Sequence, residues 1–335
     1  MRCIALARQI KRSNPKTEIM FAACAEELEI AKEQGFKTTK IPAVGYNSDL
    51  AEEIKRVQFE VKLLKVLDPD VVVSDTHSAA ILASRSQNIP CVGVFNLPVV
   101  TPFALVALLA NKIVIADIKE GLQVPNFLKQ HCEEIHFTGP ILSEEVLKFQ
   151  NKEKTRRSLK IGKDETFITA YLGRALTDTK SLLIKITNAF SLIKQKAPHA
   201  RMLVVSSGQS AQANTEYKTI KIREYVPSLI RYIGASDIFI TRGFVSAMEM
   251  AALGTPGITL PIRDEREHEF AAKRLERLGI ALLMPSDKMK PRNFANVVLS
   301  LLSNERLKKN MSEAGKKFVD GRGAERAARI VMSLL

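Results

Sequence analysis

Short apolar runs alternate with longer stretches in which apolar side chains recur every three or four residues, and the alternation continues through nearly the whole chain. The short runs predict strands at residues 18–23, 37–41, 71–74, 91–95, 113–116 and 134–137. The periodic stretches predict helices at 2–12, 26–34, 49–67, 78–87 and 102–110. Thr138-Gly139-Pro140 is a turn signal that closes this first series, and a basic helical run at 143–159 leads into a second. Strands are expected there at 167–172, 201–206, 219–222, 238–241 and 257–260. Helices are expected up to Lys196, from Pro227, up to Gly254, and over 291–302, 305–319 and 324–335. Strands that alternate with helices over short connections build parallel sheets wrapped by helices. The expected fold is α/β, with two Rossmann-like domains facing a cleft. These are residues 1–142 and 143–323, with a last helix at 324–335 packing back on the first. Ligands of such sheets bind outside the carboxyl ends of the strands.

One stretch, 234–279, concentrates the chemistry: GASDIFITRGFVSAMEMAALGTPGITLPIRDEREHEFAAKRLERLG. A strand here feeds Arg242-Gly243 and then a helix start. Free backbone N–H groups and the positive end of the helix dipole together suit a phosphate. Glu249 lies about two turns into that helix, where a carboxylate is placed to accept the two hydroxyls of a ribose. In the first series, Asp75 and His77 follow the strand at 71–74, and an Asp-x-His pair is what a general base and its orienter look like. The simpler expectation for Asp75 is a cap on the next helix.

At S-D-I-F-I-T-R-G, at Glu249 followed by M-A-A-L-G-T-P, and at the charged loop leading to His268, the sequence resembles the donor-sugar half of GT-B glycosyltransferases. It is most similar to the MurG-like and diacylglycerol-galactosyltransferase-like group. The sequence departs from that pattern in three places: Phe244 stands for a glycine, Ala247 for a threonine, and, in the third, His268 and Ala271 for a glutamine and an asparagine. The resemblance implies a UDP-sugar donor, a lipid-linked acceptor and no metal. It places the diphosphate at Gly173, Arg174, Arg242, Gly243, Phe244 and Val245, the ribose at Glu249, and the donor sugar at Glu267 and His268. It also implies that the opening MRCIALA text follows a strand and a G-x-G-H loop, so a segment ahead of Met1 is expected. A neighbouring family, the UDP-sugar hydrolases, shares this text and a similar donor half, with water in place of the acceptor. A nucleotide-sugar-binding homologue with impaired catalysis is the third reading.

Composition narrows the partners. The chain has 335 residues, 46% hydrophobic and 26% charged, enough for about two domains. Its net charge of +14 favours anionic partners: nucleotide diphosphates, anionic lipid headgroups or nucleic acid. Nucleic acid is disfavoured, since aromatics are 6%, tryptophan is absent and no RNP-like or helix-turn-helix signature occurs. The basic runs at 152–163 and 306–317 read as solvated helix faces. The most apolar stretch, 97–116, is interrupted by Pro98, Pro102, Asn111 and Lys112, so it reads as loop, helix and strand rather than a span. No leader-like opening is present and the four cysteines form no CxxC pair. The expected place is therefore the cytoplasm, peripheral on the membrane face. His77, His131, His136, His199 and His268 lack metal-ligand spacing, and no G-x-S-x-G elbow occurs. No cofactor is expected beyond the nucleotide sugar as co-substrate.

Overall fold

The computed structural model describes residues 2–42, 50–96, 105–131, 135–173, 179–206, 219–261, 266–286 and 289–335. The chain divides into two compact units, Met1–Ser143 with Arg322–Leu335, and Glu144–Gly321.

In the first unit, β1 (Met20–Ala23) and β2 (Lys37–Lys40) form a parallel pair. A second sheet runs in sequence order through β3 (Val72–Asp75), β4 (Cys91–Phe95), β5 (Lys112–Ile115) and β6 (Ile135–Phe137), all parallel. Every residue of β4 is buried. A strand covered on both faces reads as an unbroken apolar run, which is why Cys91-Val-Gly-Val-Phe does not alternate. Its side chains still divide by the two-residue period of a strand. Val92, Val94, Val114 and Ala116 meet helix Arg2–Ser13 through Ala5, Leu6 and Ile10, and helix Gly323–Met332 through Ala324, Ala327, Ala328 and Val331. Cys91, Phe95, Ile113 and Ile115 pack on the other face with Ile81 and Leu128. Arg326 ties the last helix down by donating from Nε to the Thr138 carbonyl at 2.6 Å. The helix expected at 102–110 is, in its described part, a single 3-10 turn, Val106–Leu109.

The second unit carries β7 (Thr166–Gly173), β8 (Ala200–Ser206), β9 (Ile220–Arg223), β10 (Ile238–Thr241), β11 (Gly257–Thr259) and β12 (Leu282–Leu283). They form one parallel sheet in the order β12-β11-β10-β7-β8-β9. Counted from β7, this is the doubly wound order 3-2-1-4-5-6, and β7 and β10 meet where the winding reverses. Leu172, Ile186, Phe190, Ile240, Ile258 and Phe294 belong to its main core.

The basic run at 143–159 is not one helix. It forms Glu145–Lys148 and Lys152–Ser158, and the second starts afresh because the Asn151 side chain accepts from the Lys154 amide at 2.9 Å. Nor is its charge all solvated. Arg156 is 8% exposed and donates to the carbonyls of Ala235, Gly162 and Glu165 and to Asp237, which also takes Lys152 Nζ at 2.7 Å. Asp237 Oδ2 further accepts from the Phe167 amide at 2.7 Å. This carboxylate, just ahead of β10, therefore clasps the entry helix and the first strand of the unit together.

Candidate functional site

The winding of the sheet decides where the site lies. A switch point leaves a crevice at the strand ends because the helices leaving the two central strands go to opposite faces. In register, Thr241 of β10 sits opposite Tyr171 of β7, so Gly173 and the Arg242-Gly243 turn emerge side by side. The Arg242 amide donates across to the Tyr171 carbonyl at 3.3 Å. Gly173 has φ +74°, a conformation that side chains disfavour, and no described residue lies within 4 Å of where its Cβ would be. The turn at the end of β7 thus requires glycine for its backbone. Arg174, expected next to it, lies outside the described residues.

On the other side, Gly243 is the N-cap of helix Phe244–Leu253. The Thr241 and Ser246 hydroxyls are 2.6 Å apart, the Gly243 amide donates to Thr241 Oγ1 at 3.1 Å, and Ser246 Oγ donates to the Gly243 carbonyl at 3.2 Å. These bonds fix the turn. The first intrahelical bond runs from the Ala247 amide to Gly243, so the amides of Phe244, Val245 and Ser246 lie ahead of it and point out of the helix start. Sequence reasoning passed over Ser246; its only signal was a hydroxyl three residues past the glycine. Val245 is exposed, and Arg242 is buried at 5% exposure. Gly315 holds this helix in place, since a Cβ there would lie 2.6 Å from the Ala251 carbonyl oxygen, so only glycine lets helix Glu305–Phe318 cross this closely.

Glu249 lies about one and a half turns in, partly exposed on the same helix. Burial, and then the nearby Glu145 carboxylate, push its carboxyl up to about 7. Glu145 accepts from Ser228 Oγ at 2.7 Å. His268 is half-buried on helix Arg266–Arg277, whose first turn also contains Glu267; the Glu267 side chain lies outside the description.

The first unit separates the two residues paired by sequence. Asp75, at the end of β3, takes Arg2 on both oxygens and Cys3 Sγ at 3.0 Å, while Arg2 Nη1 donates to Asn96 at 2.6 Å. Burial, reinforced by Asp75, pushes the Cys3 thiol up to about 12. Asp75 therefore anchors the opening helix and does not orient His77. Neither does it cap the next helix: the N-cap of Ser78–Ser86 is His77, and its side chain makes no capping bond. The carboxylate within ion-pair distance of His77 is instead Glu60, 3.9 Å from Nε2.

No group of three or more His, Cys, Asp or Glu among the described residues is arranged to hold a metal ion, and no described helix is long and apolar enough to cross a membrane. Residues 177–325 match the glycosyltransferase family 28 C-terminal domain. The chain is 25% identical to the UDP-N-acetylglucosamine--N-acetylmuramyl-(pentapeptide) pyrophosphoryl-undecaprenol N-acetylglucosamine transferase of Clostridioides difficile (strain 630), over 93% of this chain and 80% of that protein. Among solved structures it is similar to Acinetobacter baumannii MurG, with a TM-score of 0.73, 15% identity, and 99% and 95% of the two chains covered. It is also similar to the UDP-GlcNAc 2-epimerase of Neisseria meningitidis bound to UDP-GlcNAc, with a TM-score of 0.71, 14% identity, and 99% and 96% covered. The matched domain and these relatives converge on a glycosyltransferase: residues 177–325 match the family 28 C-terminal domain, and the chain shares the GT-B fold of the solved structures it resembles.

Proposed function

We propose that the protein transfers a sugar from a UDP-type nucleotide sugar to the hydroxyl of a lipid-linked acceptor, without a metal, at an anionic membrane surface. The carrying observation is the convergence of the Gly173 turn, the Phe244–Leu253 helix start and Glu249 at one switch point. The amides of Phe244, Val245 and Ser246 take the diphosphate beside the Gly173 turn, with Arg242 and Arg174 adding positive charge. Preorganised donors of this kind stabilise a departing diphosphate as charge builds on it, the role a cation plays elsewhere. Glu249 takes the ribose hydroxyls, Glu267 and His268 face the donor sugar, and His77 is the base for the acceptor hydroxyl. The named substrates of the relatives, a UDP-sugar donor and an undecaprenol-linked acceptor, support this reading.

Melting with nucleotides, followed by product analysis, tests it. UDP at a hundredfold excess over its dissociation constant should add about 2.7 kcal/mol of stability, and transfer should continue in chelator. If no nucleotide at millimolar concentration shifts melting, the donor site is misassigned. Free sugar released without acceptor identifies a hydrolase.

The membrane part rests on helix Leu50–Leu67. Its buried side holds Arg56 and Glu60, whereas Ile54, Phe59 and Val66 are 48%, 37% and 81% exposed. Lys55, Lys62 and Lys65 are also exposed, and the helical repeat puts all six on one side. A basic face with exposed apolar side chains suits anionic lipid. Each lysine near such a surface is worth about 1 kcal/mol. Replacing Lys62 and Lys65 with alanine should weaken co-sedimentation with phosphatidylglycerol vesicles by about thirtyfold, at the ~2 kcal/mol those two lysines supply. Equal binding to neutral vesicles would refute the assignment.

A further inference from the structure

We infer that Glu60 is the positioning residue for His77, held beneath the imidazole by Arg56 so that the ring is aimed and its positive charge is matched when it takes a proton. The inference rests on the reading of His77 as the acceptor-side base. Arg56 and Glu60 are one turn apart on helix Leu50–Leu67, with Arg56 Nε donating to Glu60 Oε1 at 2.6 Å. Their side chains are only 2% and 7% exposed. Arg56 Nη1 also donates to the Pro42 carbonyl, so the guanidinium is fixed from two sides.

A fully buried ion pair is a poor stabilising device, because desolvating two charges offsets their attraction and an apolar pair of the same volume does as well. Its position suggests another use. The Glu60 oxygen that Arg56 holds is the same one that lies 3.9 Å from His77 Nε2. His77 is itself 34% exposed, and Nε2 is the ring atom it turns toward Glu60.

With Nε2–H directed at Glu60, Nδ1 is the atom left to accept a proton. As the acceptor oxygen bonds to the anomeric carbon, the bond from that carbon to the diphosphate oxygen breaks. Its electron pair leaves with the nucleoside diphosphate, and the hydroxyl proton passes to His77 Nδ1. The new imidazolium then faces the Glu60 carboxylate, and the 3.9 Å gap closes toward a hydrogen bond. Such contacts are commonly long before substrate binds. Among the described residues, the charged groups that act on His77 are Glu60, Arg56 and Glu53. Burial holds His77 below the usual imidazole range; Glu60 and Glu53 draw it upward, and Arg56 pushes it down. Burial thus favours the neutral, proton-accepting ring.

The test follows His77 by ring-carbon NMR titration and by the pH dependence of kcat in Glu60→Gln, Glu60→Asp and His77→Ala. Glu60→Gln should lower the His77 titration midpoint and shift the acid limb of kcat to lower pH. It should reduce kcat by about tenfold, part of the hundredfold or more that general-base help supplies, with the KM for the donor unchanged. Glu60→Asp keeps the charge and should restore much of the loss. If Glu60→Gln lowers melting and scales kcat equally at every pH, with the His77 midpoint unmoved, Glu60 is structural and the inference is overturned. If His77→Ala retains full kcat, the base assignment itself fails, and the titration still reports separately whether Glu60 acts on the ring.

Discussion

Asp237→Ala should destabilise the second unit by about 3 kcal/mol, the upper end for a hydrogen bond to a charged group, because the carboxylate is only partly buried while Arg156 is left buried without it. The carboxylate answers three donors at once: Lys152 Nζ, Arg156 Nη1 and the Phe167 amide. The Arg156 side chain is 10% exposed, so without Asp237 its charge stays buried with only carbonyls around it. Asp237→Asn should cost less, since an amide oxygen still accepts from Phe167. Burial alone would raise the Asp237 pKa, but Lys152, the Phe167 amide and Arg156 outweigh it and hold the carboxyl below its ordinary value. The sign follows from linkage. The stabilisation is full above the ordinary aspartate pKa and is lost as pH falls through the lower folded value. Hydrogen exchange of the β7 and β10 amides in urea reads the second unit directly, and a loss under ~1 kcal/mol, the range of a surface pair, would reject the clasp.

Glu249→Ala should weaken UDP binding about a hundredfold while leaving inorganic pyrophosphate nearly unaffected. Hydrogen bonds to a charged group are worth about 1.5 to 3 kcal/mol each. If Glu249 holds the two ribose hydroxyls as proposed, losing both bonds costs roughly 3 kcal/mol, or about a hundredfold. Because burial and Glu145 push the carboxyl up to about 7, the site titrates near neutrality. In the free protein this raised group stabilises most below the ordinary glutamate pKa, and its contribution is lost as pH rises through about 7. In the proposed ribose site binding has the opposite slope: an ionised carboxylate would accept both hydroxyls, so UDP affinity should rise from pH 6 to pH 8. Calorimetry across that window should show the rise in the wild type and a flat line in Glu249→Gln. Equal losses for UDP and pyrophosphate in Glu249→Ala would mean that the residue shapes the helix rather than binds the ribose.

Much of this could be read from the sequence, for physical reasons. Strands buried on both faces, such as Cys91–Phe95, announce themselves as apolar runs, and the Gly243 turn is legible because a strand, a glycine and a helix follow in strict order. Charged residues defeated the same reasoning wherever they were buried. Arg156 sits in a basic run that looks solvated, yet its side chain is folded into the entry of the second unit. Glu60 and Arg56 occupy a helix crowded with lysine and glutamate, where nothing in the spacing says which charges face inward. Asp75 and His77 were paired because they are neighbours in the chain. The partners they have, Arg2 and Glu60, come from other helices, and only the packing of those helices on the sheet brings them close. Ser246 is silent in the sequence because its hydroxyl matters through Thr241, five residues back.

Because residues 322–335 belong to the first unit while 144–321 make up the second, the first unit is encoded in two pieces. On the ribosome, the second unit is complete before the helix that finishes the first has been synthesised. Domains tend to fold as they emerge, so the opening helix must wait with Ala5, Leu6 and Ile10 lacking the Ala324, Ala327, Ala328 and Val331 they finally pack against. The apolar face of the opening helix therefore stays without that partner until the last helix has been made.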